Sequence, residues 1–268
     1  MSWRLRPCQG LRYAALLLLL LLLLAGVAHG QDRAPEIRRS GLEFMSAATQ
    51  ALQRDDMLNP AMLWLAQGQQ RWNAVDGKAG KACASCHGAT AQSMRDVAPR
   101  YPAFDERLRR PISLAQRIDQ CRERHQGATP WASESEARLT LEMLVANAAR
   151  GLPIAPPMDA RLDTERALGQ RLFAQRFGQL ELACAQCHDS QAGRRLAGSA
   201  IPQAHPGGYP IYRLEWQGIG SLQRRMRGCM SGVRAEPWPY DAREWIALEL
   251  FLMQRAQGLA IETPAVRP

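Results

Sequence analysis

The pentapeptide Cys-x-x-Cys-His occurs twice, at Cys83-Ala84-Ser85-Cys86-His87 and at Cys184-Ala185-Gln186-Cys187-His188, in similar settings in the two halves of the chain. Cysteines three apart on one helical turn can each form a thioether to a haem vinyl group, and the histidine that follows then faces the iron as an axial ligand. A redox Cys-x-x-Cys would need a βαβ context, and a zinc site a second cysteine pair at finger spacing; the sequence has neither. Two covalently bound haem c groups are expected, attached through Cys83, Cys86, Cys184 and Cys187, with His87 and His188 as iron ligands.

Arg4, Arg6 and Arg12 precede an apolar run from Ala14 to Ala25, and small residues lead up to Gly30. This reads as a secretory signal over residues 1–30, and the run is too short to favour a membrane span. An uncleaved anchor is the alternative, opposed by the polar Gln31-Asp32-Arg33 that follows. Cleavage would leave a mature chain with no membrane anchor in an oxidising periplasm. It would also remove three arginines and lower the formal charge from +9 to +6. Lys78 and Lys81 are the only lysines, so the positive charge is nearly all guanidinium and suits oxyanions and acidic protein faces. Nucleic acid is not an expected partner of an exported chain.

The halves repeat one another. An offset of 101 aligns the pentapeptides together with Gly68-x-x-x-Trp72 and Gly169-x-x-x-Phe173, glycines that would let a second helix cross closely. An offset of 108 aligns Leu114-x-x-Arg117-x-x-x-Cys121 with Leu222-x-x-Arg225-x-x-x-Cys229, and one of 107 aligns Trp131, Leu141, Glu142, Gly151 and Leu152 with Trp238, Leu248, Glu249, Gly258 and Leu259. Asn59-Pro60 can start the first helix, Ser133-x-x-Glu136 and Asp241-x-x-Glu244 resemble capping boxes, and Gly151 and Gly258 can close the last helices. No alternating strand run stands out. Leu152 to Pro157 reads as an interdomain linker, and residues 190–219, rich in Gly and Pro, as a long loop. The expected organisation is a signal over 1–30, an N-terminal extension over 31–59, and two domains over 60–155 and 156–268. This arrangement resembles tandem class I cytochrome c domains, which implies an all-α fold.

Cys121 and Cys229 occupy equivalent positions, whereas no methionine recurs. Thiolates from both are therefore expected as the remaining iron ligands, with a Cys121–Cys229 disulfide as the alternative. His125 and His205 read as ordinary polar histidines. The residues around Cys229 carry more positive charge than those around Cys121, and Arg225 precedes Cys229 by one helical turn. That placement can lower the thiol pKa and hold an oxyanion by paired hydrogen bonds. Cys229 is accordingly the expected catalytic residue and Arg225 the substrate-binding one, with Arg224 or Arg227 to assist it.

The run Tyr209 to Cys229, followed by Arg234-Ala-Glu-Pro-Trp-Pro-Tyr240 and Ala247 to Leu252, resembles the SoxA family, catalytic cytochromes of bacterial thiosulfate oxidation. Retention of Cys83, Cys86, His87 and Cys121 makes the chain similar to the dihaem form. The resemblance implies a heterodimer with a SoxX-like monohaem cytochrome. It also implies oxidative joining of thiosulfate to a cysteine of a SoxYZ-like carrier, with two electrons passed to an accepting cytochrome c. By the same resemblance Cys229 is a haem ligand modified to a persulfide. Two other functions fit the motifs: a dihaem thiosulfate dehydrogenase that makes tetrathionate, and an electron-transfer cytochrome without bond-making chemistry.

Overall fold

The computed structural model describes residues 37–268, and the expected secretory signal lies outside the described residues. Residues Arg38–Pro268 form one compact unit. Among the described residues no helix is long and apolar enough to cross a membrane.

Two crossed helix pairs dominate. Besides the short α1 (Ala47–Arg54) and α4 (Thr90–Ser93), α2 (Met62–Asn73) packs on α6 (Glu136–Asn147) in the first half, and α7 (Asp163–Ala174) packs on α10 (Arg243–Arg255) in the second. A Cβ on Gly68 would collide with the Thr140 carbonyl oxygen, and one on Gly169 with the Ala247 carbonyl oxygen. Close approach therefore needs glycine at both crossings. Trp72 is buried with Leu141, Leu144 and Val145, and Phe173 with Trp245, Leu248 and Leu252, so the periodic apolar faces form the cores. Between the members of each pair lie the short motif helices α3 (Cys83–His87) and α8 (Cys184–His188) and the cysteine-bearing helices α5 (Leu114–Cys121) and α9 (Leu222–Gly232).

The all-α expectation is corrected. Small sheets accompany the helices: a hairpin of β1 (Ala103–Asp105) and β2 (Arg110–Ile112), a hairpin of β3 (Arg195–Leu196) and β4 (Ser199–Ala200), and a three-stranded sheet. In that sheet β5 (Ile211–Arg213) pairs antiparallel with β6 (Gly218–Gly220) and parallel with the C-terminal β7 (Ala265–Arg267). Strands of two or three residues are too short to show alternation, and β5 is buried at every position. Residues 190–219 thus contain one short hairpin and most of a second, joined by residues 201–210, which form no strand.

The expected capping boxes also differ. Ser135 caps α6, and α10 begins after Ala242 with no side-chain cap. Ser133 and Asp241 are engaged elsewhere: the Ser133 hydroxyl donates to Asp241 (2.7 Å), and Arg138 binds the same carboxylate through both terminal nitrogens (2.9 and 3.1 Å). The first long helix starts at Met62, after a turn in which Asn59 Oδ1 accepts from the Ala61 N–H (3.0 Å). The stretch read as a linker is a packed seam. Ile154 is 1 % exposed, its N–H donates to Leu259 O (2.8 Å), and Ile154 O accepts from Gly258 N (2.9 Å). The N-terminal extension is clamped to the far end of the chain, where Gln53 Oε1 accepts from Val266 N (3.0 Å) and Asn59 Nδ2 donates to Pro264 O (2.9 Å).

Candidate functional site

Each motif helix is closed by its own second variable residue. Ser85 Oγ accepts from Ala82 N (3.0 Å) and Gln186 Oε1 from Ala183 N (2.7 Å), so both Cys-x-x-Cys turns are fixed at their N-termini. In the first half the His87 ring lies 5.7 Å from that of Trp72, whose Nε1 donates to Gly88 O (2.8 Å). In the second, His188 Nδ1 donates to Pro202 O (2.6 Å), since a carbonyl can only accept. That bond fixes the orientation of the imidazole, as an iron-ligating histidine requires.

All six described cysteines are free, so Cys121 and Cys229 are not bridged to each other. Cys121 ends α5 within electrostatic reach of Cys83 and Cys86. Cys229 lies in the last turns of α9, within hydrogen-bond reach of His188 and electrostatic reach of Cys184. Each half thus brings together a Cys-x-x-Cys pair and one further thiol, and in the second half the histidine faces that thiol. Among the described residues no cluster of three or more His, Cys, Asp or Glu side chains has the arrangement of a metal cage. Two motif cysteines, the histidine that follows them and one further thiol in each half fit covalently bound haem c.

The two thiols differ in electrostatics. Burial pushes Cys121 up, and the charges of Arg117 and Arg124 only partly oppose it. Burial also pushes Cys229 up, but the His188 hydrogen bond and the charges of Arg225, His188 and Arg213 outweigh it and hold the thiol below its ordinary value. Arg117, the counterpart of Arg225, is occupied: it pairs with Asp105 (2.9 Å) and bonds the Tyr101 hydroxyl (3.2 Å) and Gln120 Oε1 (3.0 Å). No carboxylate lies within ion-pair distance of Arg225 among the described residues. Arg224 and Arg227, expected as helpers, face away onto the rings of Trp216 (4.1 Å) and Tyr240 (4.4 Å). His125 is exposed beyond α5, and His205 Nδ1 donates to Arg39 O (2.7 Å).

The family profile described as "SoxA/TsdA, cytochrome c domain" matches this chain twice, over residues 67–154 and 168–261. The chain belongs to that family. The SoxA/TsdA match falls on each half with its pentapeptide, and cytochrome c domains carry covalently bound haem c. The chain is similar to L-cysteine S-thiosulfotransferase subunit SoxA of Pseudaminobacter salicylatoxidans, at 38 % identity over 85 % of this chain and 80 % of that one. The protein of the same name from Rhodovulum sulfidophilum is 33 % identical over 90 % and 83 % of the two chains. Among solved structures, SoxXA from P. pantotrophus superposes with a TM-score of 0.83 at 31 % identity, covering 86 % of this chain and 87 % of that one.

Sequence reading missed Arg213 and Tyr209, which lie on or beside β5 and join the surroundings of Cys229. Burial pushes the Tyr209 hydroxyl up to about 12, against the charge of Arg225. The signal was present at the 108 offset, which sets Tyr209 against Tyr101 and Arg213 against Asp105.

Proposed function

We propose that this chain is the dihaem catalytic subunit of an L-cysteine S-thiosulfotransferase of sulfur oxidation, acting in the periplasm as a heterodimer with a SoxX-like monohaem cytochrome. The observation that carries the reading is an unbridged thiol, Cys229, facing His188, with the uncompensated guanidinium of Arg225 one helical turn away on α9. The names of the curated relatives supply the substrate class.

In the net reaction a carrier cysteine thiol and thiosulfate form a sulfur–sulfur bond, releasing one proton and two electrons. Cys83 and Cys86 would hold one haem c, with His87 and Cys121 as ligands, and Cys184 and Cys187 would hold the other, with His188 and Cys229. When bound, haem c would supply the redox chemistry that accepts the two electrons and passes them toward an accepting cytochrome c. Arg225 binds the sulfonate oxygens by charge-assisted hydrogen bonds and so orients the outer sulfur toward Cys229. The His188 hydrogen bond and the charges of Arg225, His188 and Arg213 favour the anionic form of the Cys229 sulfur, which takes part in forming the new bond. His188, fixed by Pro202, keeps its orientation through turnover.

The test uses the purified heterodimer with a SoxYZ-like carrier. Cys229→Ala should abolish carrier conjugation, and Arg225→Ala should mainly raise KM for thiosulfate. Intact mass should show two haems and extra sulfur on Cys229. Full turnover by Cys229→Ala, or tetrathionate formed with no carrier present, would overturn the assignment and in the second case favour a thiosulfate dehydrogenase.

A further inference from the structure

The two halves place opposite charges at one equivalent position. Asp105 and Arg213 are counterparts at the end of the first strand of their hairpins, paired with Arg110 in β1–β2 and with Gly218 in β5–β6. Ser113 and Ser221 cap the helices that follow, and Arg117 and Arg225 stand at the same place on those helices. In the first half Asp105, 2 % exposed, reaches Arg117 at 2.9 Å and cancels its charge. Its carboxyl is pushed up by burial but held lower overall by the Leu108 N–H and by Arg117.

The second half has the same backbone frame with a guanidinium where the carboxylate stood. Arg213 is 8 % exposed and lies within electrostatic reach of both Arg225 and Cys229. One terminal nitrogen binds Glu215 (2.8 Å), the ring of Trp216 lies 5.0 Å from the guanidinium, and the buried Nε has no hydrogen-bond partner. Two guanidiniums within electrostatic reach of one another in a partly buried site repel, and the exposed Glu215 offsets only part of that cost. A small dianion between them would relieve the repulsion and meet both donors.

We propose that Arg213 is the second arm of an oxyanion clamp with Arg225, and that the exchange of Asp105 for Arg213 between the halves confines anionic sulfur substrates to the Cys229 side. This rests on the thiosulfate reading and adds to it the residue that makes one half competent. The first half has the thiol and the arginine but not the clamp, because Asp105 fills the anion's place.

The test compares Arg213→Gln, Arg213→Lys and Arg213→Asp in the haem-loaded heterodimer, each checked for covalent haem content and melting temperature. Two quantities are read: KM and kcat for thiosulfate with carrier, and equilibrium binding of thiosulfate without carrier. Arg213→Gln should raise both KM and Kd about ten- to hundredfold while the KM for carrier stays fixed. Arg213→Lys should recover much of the loss, and Arg213→Asp, which rebuilds the Asp105–Arg117 pair, should abolish thiosulfate binding. Unchanged KM and Kd in Arg213→Gln would overturn the clamp, as would a fall in kcat alone. If Arg213→Asp does not fold, the Gln and Lys variants decide. A wild-type heterodimer that binds thiosulfate but conjugates none of it sinks the transferase reading, and the binding measurement still judges Arg213.

Discussion

Arg122, next to Cys121, shows how one side chain can fix the surroundings of a thiol without touching a substrate. It is 3 % exposed, donates to Asp76 Oδ2 (2.6 Å) and Thr129 O (2.9 Å), and lies 3.3 Å from the ring centroid of Trp131. The hydrogen bond from Arg122 is the main reason the Asp76 carboxyl lies below its ordinary value. Arg122→Ala removes these bonds and strips the face of Trp131. Because Asp76 is half exposed and can rehydrate, the expected loss is about 1–3 kcal/mol, not that of a fully buried pair. Denaturant unfolding checks it, and carrier conjugation at Cys229 should persist. At this scale the motif cysteines, the histidines and Arg225 were legible because their spacing along the chain is their geometry. Arg213 was not, because its electrostatic reach to Arg225 comes from the fold and not from spacing along the chain.

At the scale of elements, the glycines at the two helix crossings are decided by opposing effects. Gly→Ala in an isolated helix would be favourable by about 1 kcal/mol. Here the new Cβ of Gly169→Ala meets the Ala247 carbonyl and the Phe251 Cβ, and that of Gly68→Ala meets the Thr140 carbonyl and the Leu144 Cβ. Backbone cannot yield as a flexible side chain can, so overpacking wins. Each variant should lose about 1–3 kcal/mol net, with Gly169→Ala the costlier because its contacts are closer. A thermal melt of the two haem-loaded variants tests both sign and order. Those crossings were readable from Gly-x-x-x-aromatic alone. The caps and strands were not: Ser133 and Asp241 have the chemistry of N-caps but are drawn across the molecule to each other and to Arg138, and β7 exists only by pairing with β5 some fifty residues earlier.

For the whole molecule, the seam between halves is built from counterparts. Pro153 bridges its own counterpart Ala260, and Arg138 links Asp119 to Asp241 (2.9 Å each). Glu142 on α6 and Glu249 on α10, also counterparts, line a cavity of about 70 Å³ between the halves, with Glu134, Arg138 and Asp241 on the same walls. Burial pushes Glu142 up to about 7, with Arg138 opposing, and burial together with the charge of Glu142 pushes Glu249 up to about 8. The folded protein therefore holds protons that the unfolded chain has already released above the ordinary carboxyl range. Stability must then fall as pH rises through that range toward 8, by at most about 1.4 kcal/mol per pH unit for each group. Glu249→Gln removes one of these protons from the balance and the repulsion with Glu142. Its melting temperature should match that of the parent near pH 5 and exceed it near pH 8. Because the histidines are common to both proteins, their titration cancels in the difference between the two curves. Equal melting temperatures at both pH values would mean that Glu249 ionises as freely in the fold as in the unfolded chain, and that it carries no buried proton in the seam.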